Sequence, residues 1–436
     1  MASPLRFPTP FPGRRTFLAQ LGLWGSALAG LPGFAKAAPR SAPRDAPPPP
    51  ALAGRIGFLL PAAARGLGED LGAGLDLAFS ASPAGGPAPQ VELVRRACTL
   101  SPSAYRRAAE ALLGEDGADL VVVLGQPALV QGLGALFAKA ECSLLVVDGG
   151  ANLVRPADRD PWIFYNTLGA WESSWALGRW ATRAYGEGGF LVTSAFEGGH
   201  DALSAFRLGT LSEGGFEKGR HIPGMPLQEA PGGLSAAESV DRVRRLRPSF
   251  VAALLGRGEG LEFLSAFLKA GLVGEVPLVG TPYLVEEALA AGLGAAVEGC
   301  VTASAWTSGL ATASNRAFLA AYRRRAGREA SSFAALGFDT GRLLVSAMQD
   351  GGGHARFVRE ALERATWEGP GGPRSMDAAT HVSRGQVHLS RCGAAGPGAA
   401  GQGLLASEPA LGLADIAVDG LLRGRRQAVV NPYPVY

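Results

Sequence analysis

The sequence predicts an α/β protein of two doubly wound lobes, each a parallel sheet flanked by helices, joined by a hinge with a ligand cleft between them. Three observations carry that prediction. Short apolar runs alternate with amphipathic segments from residue 55 onward, the alternation starts afresh after Asn166, and the roughly 400 residues beyond the N-terminal leader exceed one usual core.

Residues 1–37 read as a removable twin-arginine export signal. Arg14-Arg15 is followed by Thr16-Phe17-Leu18, an uncharged stretch rich in Gly, Ala and Leu, and small residues around Ala35-Lys36-Ala37. A basic start, an apolar middle and a small-residue cleavage site are what such a peptide requires, so the mature chain is expected to begin near Ala38. Gln20, Gly22, Gly25, Gly30, Pro32 and Gly33 interrupt residues 17–34 and weigh against a membrane anchor. Removing the leader, which carries Arg6, Arg14, Arg15 and Lys36 but no acidic residue, takes the formal charge from +3 to −1. A nearly neutral chain presents no basic field to nucleic acid and no polybasic patch to a membrane.

Residues 38–54, with four prolines at 47–50, read as an extended linker. The runs 55–60, 91–94, 120–124 and 144–147 then read as buried parallel strands. Between them Ser101-Pro102 is a helix start, Ser as the cap and Pro at the first helical position, with Tyr105, Ala108, Ala109, Leu112 and Leu113 at helical spacing. After Asn166 the expected order is helix 173–185, strand 190–193, helix 202–211, strand 251–255, helix 261–270 and strand 276–279. The expected organisation is a first lobe of 55–166 and 306–375, a second of 167–305 and 376–392, and a Gly- and Ala-rich tail, 393–436, ending in one short helix and an extended segment.

Chemistry-bearing motifs are sparse. The run Gly66-Leu67-Gly68-Glu69-Asp70-Leu71-Gly72 follows the first strand as a dinucleotide loop would, but its spacing is off by one residue. His200, His221, His354, His381 and His388 show no metal-ligand spacing, and no Gly-x-Ser-x-Gly elbow occurs. Asp339, beside Phe338 at the start of a helical run, reads as a helix-terminal carboxylate. Cys98, Cys142, Cys300 and Cys392 are too dispersed for a disulfide scaffold or a zinc cluster; Cys300 and Cys392, both on expected strands, are candidates for a single bridge, with three connectivities open. No cofactor is expected.

A series of segments resembles the type I periplasmic solute-binding proteins of ABC transporters, in the leucine/isoleucine/valine-binding class. Arg55-Ile56-Gly57-Phe58-Leu59-Leu60-Pro61 is similar to that family's opening strand, and Gly74-Leu75-Asp76-Leu77-Ala78 to its first helix. Residues 122–126 and 145–152 resemble the two strand-and-loop segments that contact ligand in the first lobe. Residues 318–327 and 335–339 resemble the late helix pair, and 368–387 the closing hairpin region. The resemblance spans residues 55–392 and implies two lobes that close on a solute like a hinged clamp, with no catalytic residues.

The resemblance also places candidate ligand contacts at Gln126, Asp148, Asn152, Glu197, Arg257 and Tyr283. Where the family holds the ligand carboxylate with a Ser and a Thr, this chain has Leu129 and Asn152; the loops that normally meet the ammonium contain Gly198, Gly256 and Thr281-Pro282. A leucine zwitterion would leave charged groups unpaired at about 1–3 kcal/mol each, so the expected solute is not a standard branched-chain amino acid. Trp171 and Trp306, near the expected crossings, are candidates either for stacking on an aromatic solute or for packing the hinge. The implied function is a monomeric periplasmic binding component that serves an ABC permease in the inner membrane. An exported cofactor-dependent oxidoreductase and a ligand-sensing receptor are the alternatives.

Overall fold

A computed structural model describes residues 52–81, 89–194, 201–222, 235–393 and 402–409. The expected export signal, most of the linker and residues 411–436 of the tail lie outside them. The first strands are β1 (Ala53–Pro61), β2 (Gln90–Cys98), β3 (Leu120–Leu124), β4 (Ser143–Asp148) and β5 (Ile163–Thr167). They pair in parallel in the order β2-β1-β3-β4-β5. A second parallel set follows: β6 (Gly188–Thr193), β7 (Phe216–His221), β8 (Phe250–Leu254), β9 (Leu278–Gly280) and β10 (Val301–Ser304). Its order is β7-β6-β8-β9-β10. The chain then returns to the first sheet with β11 (Thr366–Gly369), β12 (Gly372–Asp377) and β13 (Val382–Arg384), and ends in the second with β14 (Gln386–Cys392) and β15 (Gln402–Pro409). Among the described residues this makes one sheet of eight strands and one of seven. Both are parallel at the centre and antiparallel at the late margin. These are the two expected lobes.

Several details differ from expectation. The run 91–94 belongs to an edge strand, not a buried one. Having one neighbour, β2 turns Glu92, Arg95 and Arg96 outward, where they pair with Arg55, Asp76 and the Glu115 and Asp116 carboxylates; charges on an edge also deter pairing with another chain. The sheet change expected near 376 falls instead between Arg384 and Gln386, because β13 pairs with β5 through Val382 and Tyr165. The glycine run 66–72 lies inside the helix Arg65–Ser80 and forms no loop. Part of the tail is a strand, β15, laid antiparallel on β14. Cys300 and Cys392 stand opposite each other, Cys392 N–H donating to Cys300 O at 2.9 Å, but all four cysteines are free thiols and burial pushes the Cys300 and Cys392 thiols up. Among the described residues no helix is long and apolar enough to cross a membrane.

Each lobe closes its helical layer with the same device. The helices Arg65–Ser80 and Ser332–Asp350 cross where a Cβ on Gly337 would lie 2.0 Å from Leu71 O and one on Gly74 2.2 Å from Ala334 O. In the second lobe, Gly178 and Gly209 bring the helices Ala170–Tyr185 and Ala202–Ser212 equally close, a Cβ meeting Phe206 O at 2.2 Å and Trp175 O at 2.0 Å. Backbone contact of this kind admits only glycine.

Asp339 is not a helix-terminal group. It lies within the helix Ser332–Asp350, 3 % exposed, and pairs with Arg374 of β12 at 3.1 Å. Trp367 Nε1 donates to its Oδ1 at 2.9 Å. Arg374 also donates to Thr167 O (2.8 Å) and to Ser383 Oγ (2.7 Å). This buried cluster sits where β5 gives way to the hinge, so it fixes the departure point of the chain from the first lobe.

Candidate functional site

The parallel strands of both lobes present their carboxyl ends to the region between the lobes, where ligands of such sheets bind. The chain crosses that region after β5, after β10 and after β13, and Ala305 N–H bonds to Leu168 O across two of the crossings at 3.4 Å. The first crossing is sewn to the loop after β4: Leu168, Ala170 and Trp171 donate backbone hydrogen bonds to Asp148 O, Gly149 O and Gly150 O at 3.2, 2.9 and 2.9 Å. Asp148 Oδ1 accepts Gly150 N–H at 2.9 Å and shapes the turn. Gly150 has φ +75°, and a Cβ there would lie 2.6 Å from Thr167 Oγ1, so the turn depends on glycine.

The lobes are in direct contact. Asp201, at the start of the helix Ala202–Ser212, donates its N–H to Ala151 O at 3.0 Å and accepts Leu153 N–H on Oδ2 at 2.9 Å. Farther out, the Tyr283 ring of the second lobe lies 6.0 Å from the Phe333 ring of the first.

Two cavities flank the first crossing. One, on the side of the first lobe, is lined by Pro127, Asp148, Asn152, Tyr165, Trp171, Glu172 and Arg384 among others. Asn152 Oδ1 is buried without a hydrogen-bond partner. Burial pushes the Glu172 carboxyl up, with Arg384 and Arg374 pulling the other way. Arg384 is paired with Asp377 at 2.5 Å. The other cavity lies at the ends of β8, β9 and β10 and is lined by Ser173, Ser174, Thr281, Tyr283 and Ser304 with Leu168, Leu177 and Leu254. None of its described lining residues carries a charge. Ser173, 4 % exposed, has a buried hydroxyl without a partner. Thr281 accepts Leu284 N–H at 3.1 Å as the cap of the helix Pro282–Ala290 and donates to Leu255 O at 3.2 Å. The helices Ala170–Tyr185 and Pro282–Ala290 both begin at this cavity, so their positive dipole ends favour an anionic or hydrogen-bond-accepting group.

Of the residues expected at the site, Asp148 and Asn152 share the first cavity and Gln126, 4 % exposed, adjoins it through Pro127. Tyr283 lines the second cavity. Glu197 lies outside the described residues, and Arg257 is placed only as the first residue of the helix Arg257–Lys269, its side chain being outside the description. Leu129 is core, 2 % exposed. Trp306 packs the hinge: its Nε1 donates to Asn315 Oδ1 at 2.8 Å and its ring stands edge-on to Phe318. Trp171 faces the first cavity. Sequence reasoning missed Ser173, Ser174 and Ser304; the tandem serines just past the first crossing were the available signal.

The profile of the periplasmic binding protein family matches residues 55–397. The chain belongs to that family. No curated protein matches it. Among solved structures, an ABC transporter substrate-binding protein from Sphaerobacter thermophilus is 21% identical with a TM-score of 0.72, over 82% of this chain and 98% of that one. A solute-binding protein of an ABC transporter from Rhodopseudomonas palustris BisB5, in complex with 3,4-dihydroxybenzoic acid, is 20% identical (TM-score 0.68, 83% and 98% covered). Another from R. palustris, in complex with benzoate, is 22% identical (TM-score 0.67, 83% and 98% covered). As a periplasmic binding protein, the chain has the two-lobed architecture that the sequence predicts.

Proposed function

We propose that the protein captures a small carboxylic acid, of the aromatic kind, between its lobes and delivers it to an ABC permease. The observation that supports the solute class is the hydroxyl-lined second cavity, set at two helix starts and free of charged side chains among its described lining; as it stands it has room for about one water, so the lobes must part to admit a solute. An ammonium buried there would lose its hydration with no countercharge, whereas a carboxylate or phenol finds hydroxyl donors and positive dipole ends. That chemistry disfavours a branched-chain amino acid and suits the benzoate-type ligands of the relatives named above. Export by the twin-arginine leader, cleavage after Ala37, a periplasmic location and a monomeric state complete the reading, supported by Arg14-Arg15 and the small-residue cleavage site.

Isothermal calorimetry with benzoate, 3,4-dihydroxybenzoate and leucine tests it. Binding of an aromatic acid with no heat from leucine is expected, and tight leucine binding would sink the solute class. Mass spectrometry of the exported protein is expected to find Ala38 at the N-terminus.

A further inference from the structure

Beside the Tyr283–Phe333 contact a second link joins the lobes. Glu286, on the second-lobe helix Pro282–Ala290, accepts on Oε1 the N–H of Ser332 at 3.1 Å and the Ser332 hydroxyl. Ser332 opens the 19-residue helix Ser332–Asp350 of the first lobe. The first amides of a helix have no partner within it, and its dipole turns a positive end toward whatever meets them. The preceding residue, Ser331, caps the helix by accepting Ala334 N–H at 3.2 Å and donates its hydroxyl to Asp70, a carboxylate of the same lobe. One helix start is thus held by a carboxyl from each lobe, through adjacent serines. Only the Asp70 arm survives if the lobes part.

We propose that Glu286 is a positioning residue that latches the closed lobes by engaging the start of the helix Ser332–Asp350, a role that rests on the solute-capture reading above. The charged and titratable groups around it are Asp70 on the helix Arg65–Ser80, which is engaged by Arg328, Tyr322 and Ser331, and Glu287 on its own helix. Burial above all, with Asp70 and Glu287 adding to it and the Ser332 hydrogen bonds opposing, pushes the Glu286 carboxyl up to about 7. In separated lobes the solvated carboxyl returns to its ordinary value of 4.5. The closed form therefore binds the proton more tightly, and closure gains as pH falls through the window from about 7 toward 4.5. By linkage, roughly a thirtyfold change in the closing equilibrium is expected between pH 8 and pH 5.5.

The test uses the whole mature chain without solute. Amide hydrogen exchange at Ser332 and Phe333, with the radius of gyration from X-ray scattering, is compared for wild type, Glu286→Gln and Ser332→Ala at pH 5.5 and 8. Glu286→Gln, an uncharged acceptor like the protonated carboxyl, is expected to lose the pH dependence and to keep at pH 8 the slow exchange and small radius that wild type shows at pH 5.5, whereas Ser332→Ala, which removes one of the two donors, is expected to exchange faster with a larger radius at both pH values. A shared thermal melt establishes that the variants fold. Exchange and radius that match wild type in both variants would overturn the latch. Calorimetry of the wild type with benzoate and 3,4-dihydroxybenzoate is run in parallel: failure to bind either removes the solute-capture reading, while the latch is decided by exchange alone.

Discussion

The two cavities beside the first crossing occupy corresponding places at the ends of parallel strands, yet they are furnished in opposite ways. The first-lobe cavity is bordered by Asp148, Glu172 and Arg384 and backed by the buried Asp339–Arg374 pair; the second-lobe cavity has Ser173, Ser174, Thr281 and Ser304 and no charged lining residue. The charges of the first serve the framework: Asp148 shapes its own turn, Arg384 pairs with Asp377, and Arg374 ties β12 to the hinge. The hydroxyls of the second include one, Ser173, with no partner in the protein. Unspent hydrogen-bonding capacity remains on both sides, Asn152 Oδ1 in the first cavity and the Ser173 hydroxyl in the second, so charge near a cleft does not by itself identify the ligand-facing half.

Breaking the charged half should have the largest effect. Arg374→Met leaves Asp339 buried beside an apolar chain, and a loss of about 3–5 kcal/mol in urea unfolding is expected, the usual cost of removing one partner of a buried pair. A loss below about 1 kcal/mol would mean that the pair is not framework. In the uncharged half Thr281→Val removes a helix cap, at about 1 kcal/mol of stability, and a hydroxyl from the cavity. Aromatic-acid affinity measured by calorimetry should change little, because the Thr281 hydroxyl already donates to Leu255 O.

Ser173→Ala sharpens the contrast, because no protein hydrogen bond is lost. Stability should stay within about 0.5 kcal/mol of wild type, while affinity for 3,4-dihydroxybenzoate should fall by about 0.5–1.5 kcal/mol, the net worth of one hydrogen bond. Unchanged affinity would place the solute elsewhere. The smallest effect is expected at Glu172. Its carboxyl takes up a proton at higher pH in the folded chain than in the unfolded one, so its contribution to stability declines as pH rises above the ordinary carboxylate range. Glu172→Gln should flatten that decline in melts recorded from pH 4.5 to 8; a steeper decline would reverse the assignment.

The fold was legible because its signals are local. The apolar run 120–124 coincides with β3, and Ser101 caps the helix Pro102–Gly114 by accepting Ala104 N–H, as the Ser-Pro pair predicts. The edge position of β2 was hidden because Val91, Leu93 and Val94 look alike whether a strand has one neighbour or two. Asp339 was misread because its partners, Trp367 and Arg374, lie 28 and 35 residues away and no spacing rule announces them. The site was the least legible part. Serine and threonine are common at helix starts, and only the three-dimensional arrangement distinguishes Ser173, with no partner, from Thr281, occupied as a cap.

The pairing of Val382 with Tyr165 has a consequence for how the molecule is made. β5 leaves the ribosome long before β13, and the whole second parallel set, β6 to β10, is synthesised in between. Until residue 384 emerges, β13 cannot pair with β5, and the β11–β12 hairpin has no strand linking it to the first sheet. The loop that must close is long, so its closure comes late and slowly. The second lobe also needs β14, which follows β13 immediately. Both sheets therefore take their closing strands from neighbouring stretches near the end of the chain.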